Sequence, residues 1–171
     1  MLTLVRGAYE RLLEAVVILL MAATAIEVTA GIVFRTLGRS LSWYDEVASI
    51  LLAWLTFYGA ALAAIKGAHI GFPNIVAGMA PRWRVTCVLV AEALVLGFFV
   101  VLGWLGYTIL EVVASSTLVS IPEISVAWAQ SVIPVSSVLF IVAELLHVPS
   151  RLAAARAGSG GGEAGIAERL H

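Results

Sequence analysis

Four stretches of this chain are each long and apolar enough to cross a lipid bilayer, and they limit every other reading. A hydrocarbon core about 30 Å thick takes roughly 20 apolar residues in a helix rising 1.5 Å per residue. Residues 15–34 meet that length with only Glu27 interrupting, and residues 47–65 carry no charge at all. A third span, about 87–110, lies in a longer apolar run that contains Glu92 and Glu111. The fourth, about 125–146, carries Gln130, Pro134 and Glu144. Composition agrees: of 171 residues, 61% are hydrophobic and 12% charged, where a soluble domain has roughly 45–50% and about 25%. So few charges cannot coat a water-soluble globule of this size. The expected fold is an all-α integral membrane protein with four transmembrane helices in a domain spanning 1–150.

The first span needs separating from a cleaved signal peptide. Arg6 and Arg11 precede it, and Ala23-Thr24-Ala25 resembles a small-residue cleavage site. The apolar run continues well past that point, longer than a signal h-region, so an uncleaved helix is expected. Basic residues set the orientation. Arg6 and Arg11 precede span one, Lys66, Arg82 and Arg84 lie in the second loop, and Arg151, Arg156 and Arg169 lie in the tail. Against these, the first loop has Arg35 and Arg39 and the third has none. The positive-inside rule then puts both termini in the cytoplasm. Trp43, Trp83, Trp104 and Trp128 fall toward span ends, where indoles favour the headgroup region.

The connections carry further signals. Ser42-Trp43-Tyr44-Asp45 reads as an S-x-x-D helix start, with Asp45 and Glu46 in a first turn that favours negative charge. In the second loop, Phe72, Ile75, Val76 and Met79 recur at helical spacing between Pro73 and Pro81. A short interfacial helix over about 73–80 in this cytoplasmic loop is expected, with an irregular connector as the alternative. Beyond Pro149 the glycine-rich run 158–162 marks residues 151–171 as a flexible cytoplasmic tail.

Acidic residues inside the spans are the sharpest local feature, because an ionisable group in hydrocarbon faces protein or carries a function. Glu27 has Ala23, Thr24, Ala30 and Gly31 around it on its helix. It reads as a buried contact with another helix or subunit, with a proton or ion relay as the other reading. Glu111 and Glu144 lie near span ends and are expected to reach water, and Lys66 is the candidate partner for the deeper Glu92. Glu144-x-x-His147 has di-iron spacing, but its second copy, Glu168-x-x-His171, lies past the glycine run, so no metal site is assigned. No cofactor is expected either. Ser115, Ser116 and Ser120 have no histidine and acid placed for nucleophilic chemistry. The C-terminal glycines have no phosphate-loop context. A net charge of −1 without a basic run gives no footprint for nucleic acid. Cys87 lies in an apolar run and reads as a buried or lipid-facing hydrophobe.

Span two carries two rows of small residues, Gly59, Ala63 and Gly67, with Thr56, Ala60 and Ala64 beside them. Such rows let helix backbones approach closely within a membrane.

The same region carries a family resemblance. Trp43, Glu46, Trp54, Gly59, Ala60, Gly67, His69 and Ile70 match by position the small membrane subunit of TRAP transporters, the DctQ-like family. Ile121-Pro122 ahead of the fourth span also fits, as do Arg82 and Arg84 after the loop. Gly71-Phe72-Pro73-Asn74 departs from the pattern, which commonly has an acidic residue soon after the His-Ile pair. The resemblance covers about residues 10–150, with its specific motif at 42–70. It implies a supporting subunit in the bacterial inner membrane, not an enzyme. Its partners would be a large membrane subunit carrying organic acid and sodium, and an extracytoplasmic solute-binding protein. Glu27, Trp43, Asp45, Glu46, Trp54, Gly59, Ala60, Ala63, Gly67 and His69 become candidate subunit-interface or structural residues. The absence of broken spans and of an inverted repeat agrees with a supporting role. The rival is a self-sufficient membrane protein, a homo-oligomeric channel or membrane enzyme, using the intramembrane glutamates.

Overall fold

A computed structural model describes residues 2–67 and 81–157. They form helices α1 (Leu2–Thr36), α2 (Tyr44–Ile65), α3 (Pro81–Val113), the short α4 (Val126–Gln130) and α5 (Val132–Ala157). Among the described residues there is no strand, only an isolated antiparallel bridge between Thr117 and Ser125. Four segments are long and apolar enough to cross a membrane: Arg6–Thr36, Tyr44–Ile65, Trp83–Val113 and Val126–Ala153. The protein is therefore an all-α, four-span membrane protein. The interfacial helix expected at 73–80 lies outside the described residues, as does the tail from 158 onward.

Threonines on three of the long helices satisfy their hydroxyls within the helix, as a lipid environment demands. Thr24, Thr29, Thr56 and Thr108 return their hydroxyls to the carbonyl four residues back, at 2.7–3.0 Å. Two ends are closed by glycine. Gly38, with φ +73°, lets Arg39 N–H reach the Phe34 carbonyl at 3.0 Å and ends α1. Gly67, with φ +64°, donates to the Ala64 carbonyl at 3.0 Å and ends α2. A side chain at either position would be strained. The start of α2 differs from the expected Ser42 cap. Trp43 is the N-cap residue and makes no side-chain cap bond, while Ser42 offers only its carbonyl, to the Ser120 hydroxyl at 3.1 Å.

Two helices run longer than their apolar stretches. The 35 residues of α1 reach about 52 Å, beyond the thickness of a hydrocarbon core. Helix α5 continues through Pro149 to Ala157, well past the expected end near 146. A proline inside a helix removes one backbone bond, a loss that neighbouring polar groups offset in membrane helices.

The helices pack as an open row: α1 on α2, α2 on α5, and α5 on α3. The core lies where α1, α2 and α5 meet, built from Leu13, Ala61, Ala64, Ile65, Phe140 and Ala143. Ala60 packs against this core, and Tyr9 donates to the Leu139 carbonyl at 2.6 Å to tie α1 to α5. Helices α3 and α5 approach closely through small residues. A Cβ at Gly106 would come within 2.7 Å of Ile133, and one at Gly103 within 3.2 Å of Ser137. Phe99 and Phe140 stack across the same contact with ring centroids 3.6 Å apart. The outward faces of α1 and α3, with Ile18, Leu19, Ile26, Leu94, Trp104 and Val112 exposed, are left for lipid or a partner.

Candidate subunit-contact site

The conspicuous side chains gather at two ends of the row. At the end holding the α1–α2 connection, Glu46 organises the loop between α3 and α4. Its carboxylate oxygens accept the backbone N–H groups of Val119 at 3.0 Å and Ser120 at 2.8 Å. The loop closes on itself through Leu118 N–H to the Ile124 carbonyl and Val126 N–H to the Ser116 carbonyl. Leu118 is buried beneath it and Val119 stands 91% exposed at its tip. About two turns along α2, Trp54 Nε1 donates to the Ala129 carbonyl at 2.8 Å, and its ring lies 4.9 Å from that of Trp128. Ser125 caps α4 through the Ala127 N–H. Glu123, Ile124, Ser125 and Trp128 line a shallow open groove on this surface.

The opposite end is ionic and is called the basic end below. Arg151 of α5 pairs with Glu92 of α3 and, at 2.8 Å, with Glu144 of α5, using the same nitrogen. Glu144 is 1% exposed and Glu92 7%. One turn from Glu144, the buried His147 bonds through Nε2 to the Ile65 carbonyl at the end of α2. Arg6 of α1 donates to the same carbonyl at 3.4 Å. Lys66 pairs with Glu14 at 2.5 Å and lies 4.0 Å from Glu10. Side chains from all four long helices thus converge where α2 ends.

Several expectations need correction here. Lys66 is not the partner of Glu92; it turns to α1, and Arg151 takes that place. Glu144 does not reach water, because α5 extends far enough to bring Arg151 onto it. Glu111 is exposed, as expected for a span end. Among the described residues no group of three or more His, Cys, Asp or Glu could hold a metal ion.

Span two's small residues divide into different tasks. Ala64 and Ala60 pack inside the chain, and Ala63 is half-buried. Gly59 faces open space, with nothing within 4 Å of a Cβ placed there. Gly67 is a helix-ending turn residue beside the His147 ring, not part of a packing row. The close helix approach comes instead at Gly103 and Gly106, which their i, i+3 spacing on α3 could have flagged.

The remaining candidates lie along α1 and the start of α2. Gly31 is buried under the Tyr44 ring, so these two helices meet closely there. Glu27, one turn deeper, is half-buried, and among the described residues neither of its covered carboxylate oxygens has a hydrogen-bond partner. Asp45 lies within electrostatic reach of it. Both Trp43, the N-cap residue, and Asp45, in the first turn of α2, are exposed. His69 lies outside the described residues.

These features define a multi-pass helical membrane protein whose singled-out polar side chains mostly hold its own backbone and helices in place. A family model for the DctQ component of tripartite ATP-independent periplasmic transporters matches residues 24–154. The chain belongs to this family and is a component of such a transporter. No individual curated protein matches it.

Proposed function

We propose that this chain is the small scaffold subunit of a sodium-coupled TRAP-type secondary transporter that imports organic acids. In this reading a large membrane subunit binds substrate and sodium, and an extracytoplasmic solute-binding protein delivers the acid. The small subunit resides in the bacterial inner membrane with both termini in the cytoplasm and performs no catalysis. It braces an immobile part of the large subunit while the transport domain moves. The family match over 24–154 carries the reading. The open helix row supports it, because outer faces of α1 and α3 are left uncovered while most polar side chains are engaged within the chain.

Span two supplies the test. Gly59 meets nothing inside the chain, so Gly59→Leu leaves the isolated subunit folded with unchanged thermal unfolding. Co-purification with the large subunit and uptake by the reconstituted complex are both expected to fall. Wild-type recovery and uptake would remove Gly59 from the contact. Solute flux through the small subunit alone in liposomes would favour the self-sufficient channel instead.

A further inference from the structure

The basic end brings two buried carboxyl groups onto one guanidinium nitrogen. Glu92 comes from α3 and Glu144 from α5, and Arg151 Nη1 touches an oxygen of each. Both carboxyls are almost wholly buried and sit side by side on that one nitrogen. The second oxygen of Glu92 is buried with no hydrogen-bond partner among the described residues.

An ionised carboxylate only accepts hydrogen bonds, so two of them compete for the one guanidinium nitrogen, whereas a protonated one can donate to its neighbour. Two like charges held on one nitrogen also disfavour double ionisation. Withdrawing each charge from water is costly unless it is paired. A neutral acid beside a carboxylate meets all three constraints. We propose that Glu92 and Glu144 form a proton-binding site, holding one proton between them and presenting a single negative charge to Arg151. The proton acts as a structural ligand that closes α3 onto α5. Removing it puts two negative charges against one cation and loosens that end.

The neighbouring groups are also charged or titratable. Arg6 and Glu10 approach from α1, and both act on His147. From α2 come Lys66, engaged with Glu14 and Glu10, and the Ile65 carbonyl that meets His147. Arg151 is the cation in contact with both carboxyls. The inference does not depend on the transporter role proposed above.

Infrared spectroscopy of the full chain in lipid nanodiscs tests it. At neutral pH the wild type is expected to show a carboxylic-acid carbonyl band that disappears on raising the pH. Glu92→Gln and Glu144→Gln should each abolish that band, because the remaining carboxylate pairs with Arg151. Glu27→Gln should leave it in place. Each single glutamine variant imitates the protonated partner and should unfold at the wild-type temperature, having lost the alkaline destabilisation. The double variant leaves Arg151 facing amides only and should unfold at a lower temperature. A wild type without the band at neutral pH, or a band that survives both single variants, would overturn the proposal. Where one single variant does not fold, the other decides it.

Discussion

The two ends of the helix row solve the same problem by different means. At the basic end, charged side chains meet one another: Arg151 of α5 joins Glu92 of α3 and Glu144 of its own helix, and Lys66 meets Glu14 of α1. At the opposite end, Glu46 and Trp54 on α2 bind backbone groups of the α3–α5 connection. The Arg151 cluster ties α3 to α5, and losing its cation leaves buried carboxyl groups without their ion pair. Backbone recognition fixes the shape of one loop and is graded, one hydrogen bond at a time. The basic end therefore governs global stability, and the other end governs the form of an exposed surface.

Arg151→Met should break this contrast most severely. It strands two buried carboxyls between α3 and α5, and breaking such a pair costs about 3–5 kcal/mol, read as reduced resistance to denaturant in detergent. A cost below ~1 kcal/mol would make the cluster equivalent to a surface ion pair and end the comparison. Next in size comes the glycine contact. Gly106→Val forces branched carbons against Ile133 and Pro134, and overpacking of this kind costs about 1–3 kcal/mol. Unfolding measurements that find it neutral would show that α3 shifts freely on α5.

Trp54→Phe sharpens the other side. It keeps an aromatic ring near Trp128 but removes the Nε1 donor to the Ala129 carbonyl, a net loss of about 1 kcal/mol. Loss of activity in the assembled transporter without any change in stability would instead make Trp54 a partner contact.

What could be read in advance follows the same division. Four spans were visible because hydropathy is a local property, and each span's residues report their environment individually. Glu46 and Trp54 were marked by pattern, yet their partners Val119, Ser120 and Ala129 are backbone groups, which carry no sequence signature. The ionic cluster was misread for a different reason. Pro149 suggested a stop, so Arg151 was assigned to the tail and Lys66 was left as the nearest cation for Glu92. In the fold, the helix passes through Pro149 and carries Arg151 back over Glu144. Gly59 and Gly67 look alike in a small-residue row, but φ +64° at Gly67 separates a turn from a helix face.

Glu46→Ala should have the smallest global effect and the most local one. Its carboxylate lies on α2 and the amides it holds lie more than 70 residues away, so no helix depends on it. Thermal unfolding of the bundle is expected to stay at the wild-type value. Hydrogen exchange at the Val119 and Ser120 amides should instead speed up several-fold, since both lose their acceptor while staying in a solvent-facing loop. Exchange confined to those amides would confirm that Glu46 shapes the loop without supporting the bundle. Faster exchange spreading into α2 or α5 would mean that both ends contribute to one cooperative unit, and that their separation into a structural end and a surface-forming end is wrong.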